Sequence, residues 1–506
     1  MMGKTLLIRA DAGIHIGTGH MMRCLALAQA WQDRGGHVVF AMATEAQALE
    51  ARIYEEGMEL VHLTTSKPGN TKDAQELVEL ARNKGADWIV VDGYHFNADY
   101  QRKIKDAGLR LLFIDDCGHA EHYWADIVLN QNLHAYEGLY ANRAPYTQLV
   151  LGTRYVLLRR EFLKWRNWKR EIPEVARKVL VTMGGVDPEN VTLKVIRALE
   201  KVKVDGLEAV IVVGSSNHHY NELKTAVQNS NISIRLEKDV KNMPELMAWA
   251  DVAVSAGGTT CWELAFMGVP FVVITLAENQ RPVAEGLNNA GCAVDLGWHH
   301  NLSVSEIEDR LKSLLLDQKR RMEMAECGQR IVDGKGIIKV LSRLEMPMLR
   351  LRRVRQENCR LLWQWANDPA VRAASFSSEP IPWERHVEWF QQKLKDPHCL
   401  FFIAIDSKGV PIGQVRFDIT NSEAIISVSI AKEFRGKGFG TKLIQIASKQ
   451  IFVNSHISVI HAYVKQSNKA SVRAFIKAGF QNVGITSFHG YKAVHLMLKG
   501  EALIDM

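Results

Sequence analysis

No stretch of this sequence reaches the roughly 18 uninterrupted apolar residues that a membrane helix needs, so no membrane span is expected. The opening residues, MMGKTLLIRADAG, make a short strand-like run ended by charge. They lack the apolar core of about 7–15 residues that marks a secretory signal. Cysteine is sparse: Cys24, Cys117, Cys261, Cys292, Cys327, Cys359 and Cys399 are odd in number, scattered, and nowhere spaced C-x-x-C. That pattern argues against a disulfide framework or a zinc site and for a reducing compartment, so a cytoplasmic enzyme is expected. The adjacent pairs His218-His219 and His299-His300 change nothing, because sequence neighbours rarely converge on one ion. No metal is expected. Nor does either sign of charge dominate: 63 Lys+Arg against 56 Asp+Glu leave +7 over 506 residues. Nucleic acid is therefore not an expected partner, while small anionic substrates fit the balance. The oligomeric state is left open.

What the sequence does contain is alternation. Its length is too great for one core, and two to four domains are expected. KTLLIRADA reads as a buried strand, followed by a turn at Gly17-Thr18-Gly19 and a helix over about His20 to Arg34, stopped by Gly35-Gly36. HVVFAMA, DWIVVDG and LRLLFIDD are further apolar runs separated by helical stretches, the pattern of a parallel sheet covered on both faces. The alternation restarts near Lys178 with KVLVTMGG, EAVIVVG, ISIRLE, DVAVSAGG and PFVVITL. Two doubly wound, Rossmann-like domains are expected at 1–160 and 161–345, with ligands beyond the carboxyl ends of their strands. At Glu345-Met346-Pro347-Met348 the character changes. Residues 349–506 read as a separate α+β domain: a strand, the helical WQWANDPAVR, three β-rich runs with a turn at Ser407-Lys408-Gly409, and a helix-strand-helix-strand tail.

Within that last domain, ISVSIAKEFRGKGFGTKLI is a strand, a Gly-rich turn and a helix, with Arg435, Gly438 and Gly440 spaced R-x-x-G-x-G. Free N–H groups and the positive end of the dipole at a helix start suit a pyrophosphate, and glycines let it come close. About 30 residues on, Asn468, Ser471, Phe475 and Gly479-Phe480 are spaced N-x-x-S-x-x-x-F-x-x-x-G-F. Together these motifs resemble the GNAT acetyltransferase family over nearly all of 349–500. The resemblance implies acetyl-CoA as cosubstrate, held by Ile430, Arg435, Gly436, Lys437, Gly438, Phe439, Gly440 and Thr441, with Asn468 and Ser471 near its pantetheine or acetyl end. The family often has a tyrosine, serving as general acid, where this chain has Phe475, and phenylalanine has no proton to give. WQWANDPAVRAASF, Ile381, His386 and Trp389-Phe390 resemble the branch acting on amino groups of nucleotide-linked deoxysugars; core packing accounts for Trp363 and Trp365 about as well. Glu423 and His461 are candidate bases for the amine proton.

In the first domain, RADAGIHIGTGHMMRCLALA has Met22 where a dinucleotide fingerprint has its third glycine, so that reading is excluded. His20 stands instead at the first helical turn, where the dipole disfavours its charged form and leaves it able to accept a proton. The second domain offers DVAVSAGGTTCWELAFMGVPFVVI, in which Gly257, Gly258 and Thr259 suit a diphosphate and Glu263 suits ribose hydroxyls. Gly184 and Gly185 in TMGGVDPEN make another turn at a strand end, expected against the same diphosphate. RADA-x-x-x-IGTGH-x-MRCL, VDGY at 91–94, LLRREF at 157–162, MGG-x-D, SAGG-T-x-x-E and Asn279-Gln280, in this order, resemble the UDP-sugar hydrolases of pseudaminic acid biosynthesis, relatives of MurG-like glycosyltransferases of GT-B architecture. The resemblance covers about residues 4–340. It implies that His20 activates a water against the anomeric carbon, that UDP leaves with inversion, and that Gly17, Gly19, Tyr94, Asn279 and Gln280 surround the substrate. Asp11 either orients His20 or lies beneath the strand.

The two resemblances agree on neighbouring steps. The C-terminal domain is expected to acetylate the 4-amino group of UDP-4-amino-4,6-dideoxy-N-acetyl-L-altrosamine, and the N-terminal domains to release 2,4-diacetamido-2,4,6-trideoxy-L-altrose from UDP. The alternatives are transfer of the sugar to an acceptor hydroxyl, and a C-terminal domain that binds without catalysing.

Overall fold

The computed structural model describes residues 3–13, 16–65, 67–214, 217–345, 349–406 and 409–500, with backbone alone at 453 and 454. Met346-Pro347-Met348, expected at the boundary, and Ser407-Lys408, expected in a turn, lie outside the described residues. The chain divides into two compact units, Met1–Glu345 and Met346–Met506.

The first unit holds two sheets. β1 (Thr5–Ala10), β2 (His37–Met42), β3 (Glu59–His62), β4 (Ala86–Asp92), β5 (Leu111–Ile114), β6 (Ile127–Asn130) and β7 (Gln148–Leu151) pair in the order β3-β2-β1-β4-β5-β6-β7, all parallel. β8 (Lys178–Thr182), β9 (Glu208–Val213), β10 (Ser233–Lys238), β11 (Val252–Ala256), β12 (Phe271–Thr275) and β13 (Ala293–Trp298) pair as β10-β9-β8-β11-β12-β13, again all parallel. Strands covered on both faces need apolar residues at every position, and β1, TLLIRA, is buried throughout. Its one charge, Arg9, is tolerated because Asp11 and Asp73 each stand 2.7 Å from the guanidinium. The strand order reverses between β1 and β4 and between β8 and β11. Those two switch points, not any single motif, locate the ligand crevice.

The expected helix at His20–Arg34 runs from Gly19 to Gln32. The last helix of the unit, Gly336–Glu345, follows the second sheet in sequence but packs on the helix Gly19–Gln32. Trp88 Nε1 donates to Leu344 O at 3.1 Å, and a Cβ on Gly336 would stand 2.2 Å from Val156 O, so only glycine fits there. One expectation is corrected: Cys292 and Cys327, whose Cα atoms are 5.3 Å apart, form a disulfide. It joins the turn before β13 to the helix Gln318–Ile331, a pairing that a 35-residue separation conceals in the sequence.

The second unit is one mixed sheet. β14 (Arg350–Arg353), β15 (Cys399–Ile405), β16 (Pro411–Thr420), β17 (Glu423–Ile430), β18 (Val459–Lys465), β19 (Gln481–Phe488) and β20 (Tyr491–Lys499) are ordered β14-β15-β16-β17-β18-β20-β19. Only β17 and β18 are parallel, and their ladder stops after Glu423↔Val459, Ala424↔Ile460 and Ile425↔His461. Beyond it the two strands run on unpaired with each other. The tail ends in a hairpin, β19–β20, where a single strand is expected; His489 and Gly490, at φ 49° and 79°, supply the two positive-φ residues of a tight turn. One face of the sheet packs on the helices Phe439–Asn454 and Lys469–Lys477 through Leu443, Ile444, Ala447 and Phe475. The other packs on Cys359–Ala366 and Trp383–Lys395 through Leu362 and Phe390.

Candidate functional site

Between the carboxyl ends of β1 and β4 on one side and of β8 and β11 on the other lies a cleft of about 830 Å³, within the usual range for small-molecule sites. Gly17, Gly19, His20 and Tyr94 line it from the first sheet, and Gly184, Gly185, Gly257, Gly258 and Thr259 from the second. Asn279 and Gln280, after β12, complete that wall. The two sides are close. A Cβ on Gly185 would stand 2.8 Å from Thr18 Oγ1. Asn279 Nδ2 donates to Tyr94 Oη across the cleft at 2.9 Å.

His20 is buried in the first turn of its helix, with Nδ1 2.6 Å from Asp92 Oδ1 at the end of β4. A carboxylate only accepts, so Nδ1 carries a hydrogen, and in the neutral ring the lone pair is on Nε2. Arg23, one helical turn on, grips both oxygens of Asp92 at 2.6 and 2.7 Å and reaches Asp116 at 2.7 Å. Asp116 also accepts from Tyr94 Oη at 2.8 Å and from Asn132 Nδ2 at 2.7 Å. Burial works against the charge of Asp92 and of Asp116, yet the Arg23 guanidinium holds both below the ordinary carboxylate range. Burial and the Asp116 charge push the Tyr94 phenol far up, so it stays protonated.

Two expected cleft residues lie elsewhere. Asp11 is wholly buried away from the cleft lining, accepting from Ala43 N at 2.8 Å and facing Arg9 and His95 at 2.7 and 3.2 Å. The carboxylate that orients His20 is Asp92, not Asp11. Glu263, expected against ribose, does not line the cleft; Arg159 holds its Oε1 with Nε at 3.0 Å and Nη2 at 2.8 Å. Burial raises the Glu263 carboxyl above its ordinary value despite Arg159. Asp92, Arg23 and Asp116 carry no mark in the sequence beyond lying in VDGY, MRCL and FIDD.

Asp115, Cys117 and His119 bring potential metal-ligand atoms within 4.8 Å of one another beside the cleft. The cluster has other duties. Asp115 accepts from the N–H groups of Cys117 and Gly118 and from Tyr123 Oη. His119 Nε2 lies 3.1 Å from Phe96 O and Nδ1 faces Asp115 at 3.3 Å. Burial opposes the His119 charge, but Asp115 and Cys117 overcome it and raise the imidazole to about 10.

In the second unit the Gly-rich turn stands where expected: Gly436 and Gly438 take φ 74° and 83°, and Gly438 caps the helix Phe439–Asn454. Lys437, Gly440 and Thr441 accompany it, and a Cβ on Gly440 would lie 3.8 Å from Ile430. The Arg435 charge is turned inward, to Ile430 O at 2.9 Å and Asp368 at 2.7 Å, so it clips the turn instead of extending to a phosphate. Asn468 Oδ1 accepts from Ser471 N at 3.1 Å, capping the helix Lys469–Lys477. Phe439 and Phe475 are core residues. Trp363 Nε1 donates to Ile381 O at 2.8 Å, His386 Nε2 sits 3.2 Å from Cys359 O, and Trp365 packs with Leu362 and Phe390, so these aromatics build the domain. Glu423 and His461 do come together, at 3.2 Å, and they bring with them His495, which no sequence motif marks.

Residues 179–336 match the family model for the glycosyltransferase family 28 C-terminal domain, and residues 348–481 that for the acetyltransferase (GNAT) domain. Over 493 residues the chain is 23% identical to an uncharacterized protein of Methanocaldococcus jannaschii, covering 94% of this chain and 96% of that one. It is 25% identical over 346 residues to the spore coat polysaccharide biosynthesis protein SpsG of Bacillus subtilis, covering 67% of this chain and 97% of the relative. It is 27% identical over 292 residues to the UDP-2,4-diacetamido-2,4,6-trideoxy-beta-L-altropyranose hydrolase of Campylobacter jejuni, covering 57% and 98%. The chain thus has two Rossmann-like domains, the second matching the glycosyltransferase family 28 model, followed by a mixed-sheet domain that matches the GNAT model.

Proposed function

We propose that the first unit hydrolyses a UDP-linked 2,4-diacetamido-2,4,6-trideoxy sugar, and that the second acetylates the 4-amino group of its precursor with acetyl-CoA. The observation that carries the first half is the His20–Asp92 pair at 2.6 Å, opening on a cleft whose far wall is the glycine turns after β8 and β11. His20 Nε2 takes a proton from water as its oxygen bonds to the anomeric carbon. The bond from that carbon to the diphosphate breaks, its electron pair leaving with UDP, and attack from the opposite side inverts the centre. Asp92 stabilises the imidazolium that forms. Tyr94, held by Asp116 and Asn279, positions the sugar, and the glycine turns receive the diphosphate. The relative from Campylobacter jejuni, whose name states this hydrolysis, supports the reading over residues it shares with the first unit.

The glycosyltransferase family 28 match favours a second reading, transfer of the sugar to an acceptor hydroxyl. Incubation with the diacetamido UDP-sugar alone separates the two. Hydrolysis gives free sugar and UDP in equal amounts; a strict transferase gives neither. For the second unit, the family match and the Gly436–Gly438 turn support acetyl transfer, and the assay is thiol release from acetyl-CoA with the 4-amino UDP-sugar. If acetyl-CoA binds and no thiol appears, the domain is a binding module, a reading that Phe475 favours.

A further inference from the structure

We propose that His495 and His461 form a proton relay that takes the proton of the acceptor amine and passes it to Glu423 at the surface. The inference rests on the acetyl-transfer reading and supplies the base that reading lacks. Its ground is a chain of three side chains from three adjacent strands. Glu423 Oε2, on β17, is 3.2 Å from His461 Nε2, on β18. His461 Nδ1 is 2.9 Å from His495 Nε2, on β20.

The hydrogen positions follow from the order of the partners. Glu423 can only accept, so the neutral form of His461 carries its hydrogen on Nε2 and has its lone pair on Nδ1. That lone pair accepts from His495 Nε2–H. The remaining nitrogen of His495, Nδ1, then holds a lone pair and has no protein partner among the described residues. A carboxylate at one end thus fixes a basic nitrogen at the other, two rings away. The proton can move along the chain without either ring turning: Nδ1 of His495 gains one, His461 Nδ1 receives the next, and His461 Nε2 releases its own to Glu423.

The place in the fold suits this task. Ile425↔His461 is the last pair of the β17–β18 ladder, so the middle member of the relay stands where the two strands begin to part. Glu423, 59% exposed at its side chain, meets solvent, whereas the His461 side chain is only 14% exposed. Tyr463 stacks on His495 with centroids 4.8 Å apart, and Phe488 stacks on Tyr463 at 4.2 Å, holding the His495 ring from one side. Burial lowers the His495 imidazole below its ordinary value, which favours the neutral ring that can accept a proton. The other titratable groups facing the pair are few: Glu423 from β17 and Tyr463 from β18. β19 has no charged residue over 481–488, the β19–β20 turn adds His489 against Phe488, and the helix Cys359–Ala366, packed on β17, adds Arg360.

The step balances. The ammonium of the 4-amino sugar loses one proton to His495 Nδ1, and the freed electron pair bonds to the thioester carbonyl carbon. The C–S bond breaks with its pair on sulfur. The second amine proton leaves with the thiol, so no further acid from the protein is required.

The test is the pH profile of thiol release by the full chain, with acetyl-CoA and the 4-amino UDP-sugar, for wild type and for His495→Gln, His461→Gln and Glu423→Gln. We expect wild type to lose activity on the acid side of neutrality. His495→Gln should lower kcat on the order of 100-fold and move the acid limb to alkaline pH, where free amine is present, with acetyl-CoA binding unchanged. His461→Gln and Glu423→Gln should move the limb in the same direction by less. A His495→Gln enzyme with wild-type kcat overturns the relay, and so does a lower kcat with an unmoved profile. Should His495→Gln fail to bind acetyl-CoA, unmoved profiles in the other two variants overturn it equally. Absence of thiol release from wild type removes the acetyl-transfer reading itself, a different result from any of these.

Discussion

A histidine at the first turn of a helix is an ordinary feature; His20 becomes a base because Asp92 tells its two nitrogens apart. Arg23 has the complementary duty. By bridging Asp92 and Asp116 it keeps both carboxylates ionised in a buried site, where either alone would be driven towards protonation. Replacing His20 by alanine should abolish UDP release and leave thiol release intact. Asp92→Asn keeps the shape but removes the charge that stabilises the imidazolium, and kcat for UDP release should fall about 10²–10⁴-fold. An unchanged kcat in either variant would remove that residue from the mechanism. His119 makes a prediction about pH. Its folded value, raised from 6.5 to about 10, means that its contribution to stability is complete below pH 6.5 and is lost as pH rises through 10. The thermal midpoint of the wild type should therefore exceed that of His119→Gln most at pH 6, with the gap closing by pH 10. A gap constant across that range would show a neutral ring.

At the scale of elements, the site is made by turns that touch. Gly185 after β8 lies against Thr18, and Gly19 has Thr259 Oγ1 only 3.4 Å from where its Cβ would be. Gly185→Ala must push the His20 turn away from the second sheet, and kcat for UDP release should fall roughly 10- to 100-fold, as expected for a displacement of about 1 Å at a reacting group. Thiol release should not change. These turns were legible in the sequence because each is local: a strand, then glycine, then the start of a helix. The alternation of apolar runs likewise conveyed both parallel sheets. What escaped was pairing over distance. His20 and Asp92 are 72 residues apart, Arg159 and Glu263 are 104 apart, and His461 and His495 are 34 apart. Charges that meet only after strands are ordered leave no periodic trace, which is why Asp11, the nearer acid in the chain, was a natural but incorrect partner for His20. Arg435 and Asn468 stand at their motif positions, and each also has a local duty that the motif does not convey: Arg435 bonds Ile430 O and Asp368, and Asn468 Oδ1 caps a helix.

At the scale of the molecule, two compact units with separate cores carry the two proposed chemistries. The alignment with the Methanocaldococcus jannaschii protein runs through both, so the fusion is not peculiar to this chain. Separate cores lead us to expect independent activities. Gly438 takes φ 83° at the cap of the helix Phe439–Asn454, a conformation that costs a residue with a Cβ on the order of 1 kcal/mol or more. Gly438→Ala should therefore distort the turn proposed to receive acetyl-CoA, raising the KM for that cosubstrate several-fold while leaving hydrolysis of the diacetamido UDP-sugar untouched. Combined with His20→Ala, each loss should appear in full and unaltered, because substitutions that share no partner act additively. If instead Gly438→Ala slows UDP release from sugar that is already acetylated, the units are coupled. The measurement must use the acetylated substrate, since with the 4-amino precursor a slow first step would imitate coupling by starving the second.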